Sequence, residues 1–204
     1  MVTRRTIGAV LAALVVAGGA FALADTGVNE PTVASEVSTT FATSSEYDRD
    51  EFGRAWADVD KNGCGTRDDI LARDLDNVTT EDGCVILSGT LTLDPYTADT
   101  IEYMRGASRV DIDHILPLKY LWDHGASSWT AEQRLAVAND GDNLLAVSSS
   151  ANRSKGSSGP AEWLPVNEGE WCAYADAWTL VAEKYDVTLG AADVAELETI
   201  EEAC

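Results

Sequence analysis

The pattern of apolar and polar positions predicts a chain of short strands and amphipathic helices. Two brief runs, 110–114 and 144–148, predict strands, because the first alternates apolar and polar residues and the second is mostly apolar. Pro117 lies just beyond the first run and would end that strand. Apolar residues recur at helical spacing over 170–185 and over 191–203. The pattern as a whole indicates an α+β fold.

Turn signals organise the stretch before the first of these strands. A short helix should end near Trp56, and a Gly-rich turn should lead into a helix over about 66–75. Residues 85–93 predict a β-hairpin that turns at Ser88 and Gly89. The N-terminal half of the folded part should therefore contain a small hairpin and two short helices.

Capping signals place two more helices. Thr130 and Gln133 have the spacing of a capping box, which predicts a helix that runs to about residue 138. Residues 150–155 indicate a cap that leads into a helix, and residues 94–97 indicate a turn. The helix over 150–155 would follow the second predicted strand directly.

The first 46 residues predict an export signal and a linker. Two arginines precede an almost wholly apolar stretch, and residues 22–24 form a small-x-small cleavage site. We expect a signal peptide over 1–24, a secreted protein, and no stable membrane insertion after the signal is removed. An uncleaved membrane anchor is the alternative. Residues 25–46 predict a disordered or glycosylated linker, and 47–204 a single domain.

The cysteines agree with export. The chain contains four of them, Cys64, Cys84, Cys172 and Cys204. An even number in an oxidising compartment favours two disulfides, and three pairings are possible. Nearest-neighbour pairing, Cys64 with Cys84 and Cys172 with Cys204, is favoured because each pair brackets one locally organised segment.

The charge of the chain is strongly acidic. It carries 35 Asp and Glu residues against 14 Lys and Arg, a net charge of −21. Loss of residues 1–24 would remove two arginines and no acid, which leaves 12 basic against 35 acidic residues and a net charge of −23. Such a charge keeps an exported protein soluble and opposes broad adhesion to nucleic acid. Any polyanion must therefore be attracted by a local basic region.

Candidate chemistry concentrates on the two later strands and the helix after them. Asp113 and His114 end the first strand, Asn143 precedes the second, and Asn152 and Lys155 lie on the helix. A histidine can take a proton from water near neutral pH. Carboxylate and amide oxygens suit a hard Mg²⁺ ion that keeps several waters. A base, hard ligands and a cation together meet the needs of phosphodiester hydrolysis.

These residues resemble the HNH, or ββα-metal, nuclease motif of the His-Me finger class. The resemblance extends over residues 56–204, which are similar to secreted actinobacterial HNH-family proteins. Those proteins are related to the C-terminal domain of two-component modification-dependent restriction endonucleases. The matching stretches are 62–67, 94–97, 125–126, 138–140, 152–155 and 162–165.

The resemblance implies a ββα-metal core with additional helices, a DNA substrate and a role for each site residue. His114 would be the general base, and Asp113 and Asn152 would be ligands of Mg²⁺ or Mn²⁺. Asn143 would hold the loop and orient the histidine, and Lys155 would face the phosphate. Asn152 stands where the commonest pattern has a histidine, which favours Mg²⁺ or Mn²⁺ over Zn²⁺. A monomer is expected.

Two other functions remain open at this point. The same fold could be a non-catalytic extracellular module that binds an acidic ligand or a partner protein. Alternatively, Asp58, Asp60 and Asn62 match the first half of an EF-hand loop and could bind Ca²⁺ in a wall-associated protein. A tight Asn-Gly turn beside a disulfide explains the same residues without calcium.

Overall fold

The computed structural model describes residues 46–107 and 109–204. These residues form two small β-sheets and six α-helices, so the predicted α+β class is confirmed. The predicted signal peptide, and the predicted linker up to residue 45, lie outside the described residues. Within the described part of the chain, no helix is both long enough and apolar enough to cross a membrane.

The strands and helices follow one another in a mixed order along the chain. The strands are β1 (Asp76–Glu81), β2 (Val85–Leu91), β3 (Ile101–Met104), β4 (Val110–His114) and β5 (Leu144–Ser148). The helices are α1 (Thr66–Asp74), α2 (Leu118–Asp123), α3 (Ala131–Ala138), α4 (Ser149–Lys155), α5 (Trp171–Lys184) and α6 (Ala191–Ala203). Short 3-10 turns lie at Arg49–Phe52, Ala126–Ser128, Gly141–Asn143 and Glu168–Glu170.

The first sheet contains the small hairpin, but at a different place from the predicted one. The prediction of a turn at Ser88 and Gly89 is wrong, because both residues lie inside the continuous strand β2. The turn is formed by Asp82 and Gly83, which adopt positive φ angles of 57° and 86°, and it joins β1 to β2. β1 is exposed at every position and polar except for Val78, so it shows no apolar alternation. β3 completes the sheet beside β2.

The short helix expected to end near Trp56 is also absent as an α-helix. Only the 3-10 turn Arg49–Phe52 forms there, and Gly53 ends it with a φ of 79°.

The predicted capping box at the start of α3 is confirmed. The Thr130 hydroxyl accepts the Gln133 N–H at 3.2 Å, and the Gln133 amide oxygen accepts the Thr130 N–H at 3.0 Å.

The second sheet and α4 form a strand–strand–helix unit. β4 and β5 are antiparallel, with Asp113 opposite Leu145 and His114 opposite Leu144. α4 begins at the residue after β5 and packs on both strands. Val110 and Ile112 of β4 belong to an apolar cluster with α1, so α1 covers the opposite face of the sheet. This is the predicted ββα arrangement.

Both predicted disulfides are present. Cys64 and Cys84 join the segment before α1 to the start of β2, across 20 residues of sequence. Cys172 and Cys204 join the start of α5 to the end of α6, across 32 residues. The second bridge holds the C-terminal helix on a core of buried aromatic and aliphatic side chains around Trp178.

Candidate active site

Asp113 lies near the end of β4, and its buried carboxylate accepts two hydrogen bonds. Its side chain faces α4, and one carboxylate oxygen, Oδ2, accepts a hydrogen bond of 2.7 Å from the Tyr96 hydroxyl. The same oxygen accepts a charged hydrogen bond of 2.8 Å from Lys155 Nζ. Burial raises the pKa of Tyr96 well above its usual value, so the phenol stays protonated and donates. These contacts fix the carboxylate through Oδ2 alone.

Lys155 does not stand where the sequence suggested. It is 1% exposed, and its ammonium also donates to the backbone oxygen of His114 at 2.8 Å. Burial lowers the pKa of Lys155, and the charge of Asp113 opposes that shift. The expectation that Lys155 faces a phosphate therefore does not describe this arrangement. Its ammonium is enclosed and neutralises Asp113.

His114 is buried, and its tautomer follows from one contact. Its Nε2 atom lies 2.9 Å from the backbone oxygen of Ala138. A carbonyl oxygen can only accept, so Nε2 carries the proton and the neutral ring has its lone pair on Nδ1. Burial lowers the pKa of His114 from its usual 6.5 to about 4, although the Ala138 carbonyl and Asp113 oppose that shift. The imidazole is therefore a neutral base at pH 7.

Asn143 joins the segment after His114 to the C-terminal end of α3. It is fully buried, and its Oδ1 atom accepts the N–H of Leu116 at 2.8 Å. Its side-chain N–H groups donate to the backbone oxygens of Leu116 and Val137, each at 3.3 Å. The first of these segments follows His114 directly, and the second ends at Ala138, which accepts from the imidazole. The Asn143 side chain thus links the two segments that adjoin the histidine.

Asn152 lies one turn before Lys155 on α4. Residues three apart share a helix face, so Asn152 is on the side of α4 that faces Asp113. Its side chain is half-buried and makes no hydrogen bond with the residues that the structure describes. Asp113 Oδ1 also receives no hydrogen bond from them. Two hard oxygens therefore remain available on neighbouring elements, which fits one Mg²⁺-like ion that keeps most of its waters.

No larger metal cluster is present in the described ranges. They contain no group of three or more His, Cys, Asp or Glu side chains suited to a metal ion. In the loop that resembles an EF-hand, the carboxylates of Asp58 and Asp60 accept hydrogen bonds of 3.1 and 3.0 Å from Asn62. Calcium binding there stays a prediction from the sequence.

An N-terminal segment forms one wall of the site. We call residues 47–57 the strap. With Leu118 and Ala138, the strap encloses a cavity of about 80 Å³ that reaches His114. The indole of Trp56 stacks on the imidazole, with ring centroids 6.1 Å apart and planes inclined by 18°. The cavity is large enough for several water molecules beside the ring.

Tyr96 and Trp56 were not among the residues that the sequence predicted for the site. Each reaches the site from a loop, 17 residues before Asp113 and 58 residues before His114 respectively. Tyr96 belongs to the 94–97 turn, one of the stretches that carried the family resemblance. That match was the available signal for Tyr96, whereas a tryptophan in the strap carries no comparable signal.

The strand–strand–helix unit, with Asp113 and His114 ending its first strand, defines a ββα protein of the HNH type. Residues 65–193 match the family described as "GmrSD restriction endonucleases, C-terminal domain", and this stretch covers more than half of the chain. The chain therefore belongs to that family, which is a family of nuclease-type domains.

The chain is also similar to a protein of the fungus Arthroderma benhamiae. The two are 38% identical over 160 residues, which cover 78% of this chain and 76% of the fungal one. The fungal protein is described as an "Uncharacterized secreted protein". No solved structure matches the chain.

Proposed function

We propose that the protein is a secreted, metal-dependent HNH endonuclease that hydrolyses the phosphodiester bonds of DNA. The hydrogen bond from His114 to the Ala138 carbonyl carries this proposal, because it leaves Nδ1 as the proton acceptor of a neutral ring. The family supplies the nuclease class. Export is supported by the two disulfides and by the description of the fungal relative as a secreted protein.

In this proposal His114 takes a proton from the attacking water, which it can do because the ring is neutral at pH 7. Asn143 keeps the ring in place because it joins the segment after His114 to the C-terminal end of α3. Asp113 and Asn152 would hold a Mg²⁺ or Mn²⁺ ion through one oxygen each. When bound, such an ion stabilises negative charge on the leaving 3′ oxygen.

Tyr96 and Lys155 prepare Asp113 for this task. Both donate to Oδ2 and so fix the carboxylate with Oδ1 left for a ligand. Lys155 also donates to the His114 carbonyl, so it ties both members of the Asp-His pair to α4. It acts in this proposal as a positioning residue within the protein.

A plasmid assay tests the proposal. The purified full chain should relax supercoiled DNA when Mg²⁺ or Mn²⁺ is present, and EDTA should prevent it. His114→Ala should lose the activity. His124→Ala is the matched control, because His124 is the other histidine of the chain and contacts Tyr120 away from this site. Equal cleavage by the wild type and His114→Ala would remove the proposal and leave the binding-module alternative.

A further inference from the structure

Half of the basic side chains in the described residues have no acidic partner, although the chain is strongly acidic. Six of the twelve form ion pairs: Arg73, Arg105, Lys119, Arg134, Lys155 and Lys184. The other six have no described carboxylate within 4.0 Å: Arg49, Arg54, Lys61, Arg67, Arg109 and Arg153. In a chain with 35 acidic residues, the unpaired cations mark surfaces that can receive an anion from outside.

Two of these unpaired cations lie at the active site. Arg49 and Arg54 both line the cavity that reaches His114, and both are exposed. The charge of Arg49 is close enough to help lower the pKa of His114. The proposed general base therefore shares one small cavity with two guanidinium groups that have no carboxylate partner among the described residues, and Asp50 also lines this cavity. Lys155, in contrast, is enclosed and already paired with Asp113.

The strap holds these two arginines on a fixed backbone. Phe52, between them in sequence, is 2% exposed and packs in the core. Arg134 donates to the backbone oxygen of Glu51 at 2.8 Å and to its carboxylate at 3.1 Å. At the end of the strap, the N–H of Ala57 donates to the Asn139 side chain at 2.9 Å. The strap is thus fixed at Glu51 and Phe52, between the two arginines, and at Ala57, beyond them. Both arginine side chains are exposed and line the cavity.

We propose that Arg49 and Arg54 bind a phosphate of the nucleic-acid backbone at the mouth of the His114 cavity. This inference rests on the proposed nuclease function and gives the phosphate-facing task to the strap in place of Lys155. Guanidinium groups suit it, because they stay charged and donate two parallel hydrogen bonds to phosphate oxygens. Asp48, Asp50 and Glu51 belong to the same segment, so the attraction to phosphate depends on these two guanidinium groups and not on the net charge of the strap.

Binding of a fluorescein-labelled DNA duplex, followed by anisotropy in Mg²⁺, tests the inference. All proteins carry His114→Ala so that the duplex stays intact. Arg49→Gln, Arg54→Gln and the double variant are compared with the parent chain. Lys61→Gln is the matched control, because it removes an unpaired, exposed charge that does not line the cavity. Circular dichroism melting verifies that each variant is folded.

The double variant should bind the duplex about tenfold more weakly, or weaker still, because two charged hydrogen bonds are lost. The slope of log affinity against log salt should fall in magnitude by about one to two. Arg49→Lys with Arg54→Lys should restore most of the salt slope, since the charge returns, which a purely structural role would not explain. Lys61→Gln should leave affinity and slope unchanged.

Several outcomes would overturn the inference. One is a double variant that binds like Lys61→Gln, and another is a parent chain that does not bind the duplex. The plasmid assay distinguishes a failure of this inference from a failure of the proposed nuclease function. If the wild type cuts and the arginine variants bind and cut equally well, the inference fails and the nuclease stands. If the arginine variants lose binding but the wild type never cuts, the phosphate site stands and the nuclease fails.

Discussion

Replacement of Lys155 by methionine should destabilise the fold. If Lys155 faced a phosphate instead, the same replacement would leave the stability of the fold almost unchanged. Lys155→Met keeps the length and the apolar stem of the side chain but removes its ammonium. Asp113, which is 5% exposed, would then keep the Tyr96 hydroxyl as its remaining donor among the described residues. A buried carboxylate that has lost its counter-charge is costly in the folded state.

The structure gives the size of this effect. At a separation of 2.8 Å, the attraction between Lys155 and Asp113 is about 6 kcal/mol with an effective dielectric constant of about 20. Desolvation of the two charges offsets part of it, and removal of one partner from a buried pair typically costs about 3–5 kcal/mol. In a domain of this size each kcal/mol lowers the melting temperature by about 2–4 °C. The expected loss is therefore about 6–20 °C.

Thermal and urea unfolding, followed by circular dichroism, measure this loss. Asp113→Asn in the Lys155→Met background is the informative partner, because a neutral amide needs no counter-charge. The double variant should be more stable than Lys155→Met alone, with a coupling of at least about 2 kcal/mol. The reasoning is refuted if Lys155→Met unfolds within about 0.5 kcal/mol of the wild type and only its activity falls.

Three further predictions concern the histidine, its support and the covalent bridges. The unfolded chain binds a proton on His114 between pH 6.5 and about 4 whereas the folded chain does not, so stability should fall as the pH drops through that window. Urea unfolding at pH 7 and 4.5 should show a smaller fall for His114→Gln, and an equal fall would contradict the buried neutral ring. Asn143→Ala leaves the buried Leu116 N–H without its acceptor, and should cost about 2–4 kcal/mol in urea unfolding and reduce plasmid cleavage. A loss below about 0.5 kcal/mol would exclude that positioning role. The Cys172→Ser and Cys204→Ser double variant should lose about 3–4 kcal/mol, measured without reductant, and an unchanged midpoint would show that the bridge adds no stability.

Local signals predicted most of the ββα unit. The alternating pattern of β4, the apolar run of β5 and the capping box at Thr130 each depend on neighbours in sequence, and all three elements are present. The disulfide pairs were predictable for the same reason, because each closes a short, locally organised segment. The hairpin was misplaced, since β1 is wholly exposed and its polar residues resemble a loop.

The parts of the site that depend on distant contacts were not predictable. A lysine is rarely buried, and nothing next to Lys155 in sequence indicates that it will form a buried ion pair with Asp113. The sequence of the strap likewise predicts only a short helix. Its position beside His114 depends on distant contacts such as the hydrogen bond from Arg134 to Glu51, which are 83 residues apart. Pairing of this kind is decided by tertiary packing, which a single sequence does not display.

Single-turnover cleavage of a defined, end-labelled DNA duplex tests the central claim most directly. The claim is that His114, held by the Ala138 carbonyl, takes the proton from water in a metal-dependent hydrolysis. The wild type should cut in Mg²⁺ or Mn²⁺ and leave 3′-hydroxyl ends, and His114→Ala should be about 10²–10⁴-fold slower. The His124→Ala control should cut at the wild-type rate. Equal rates for the wild type and His114→Ala, in folded proteins of equal purity, would contradict the claim.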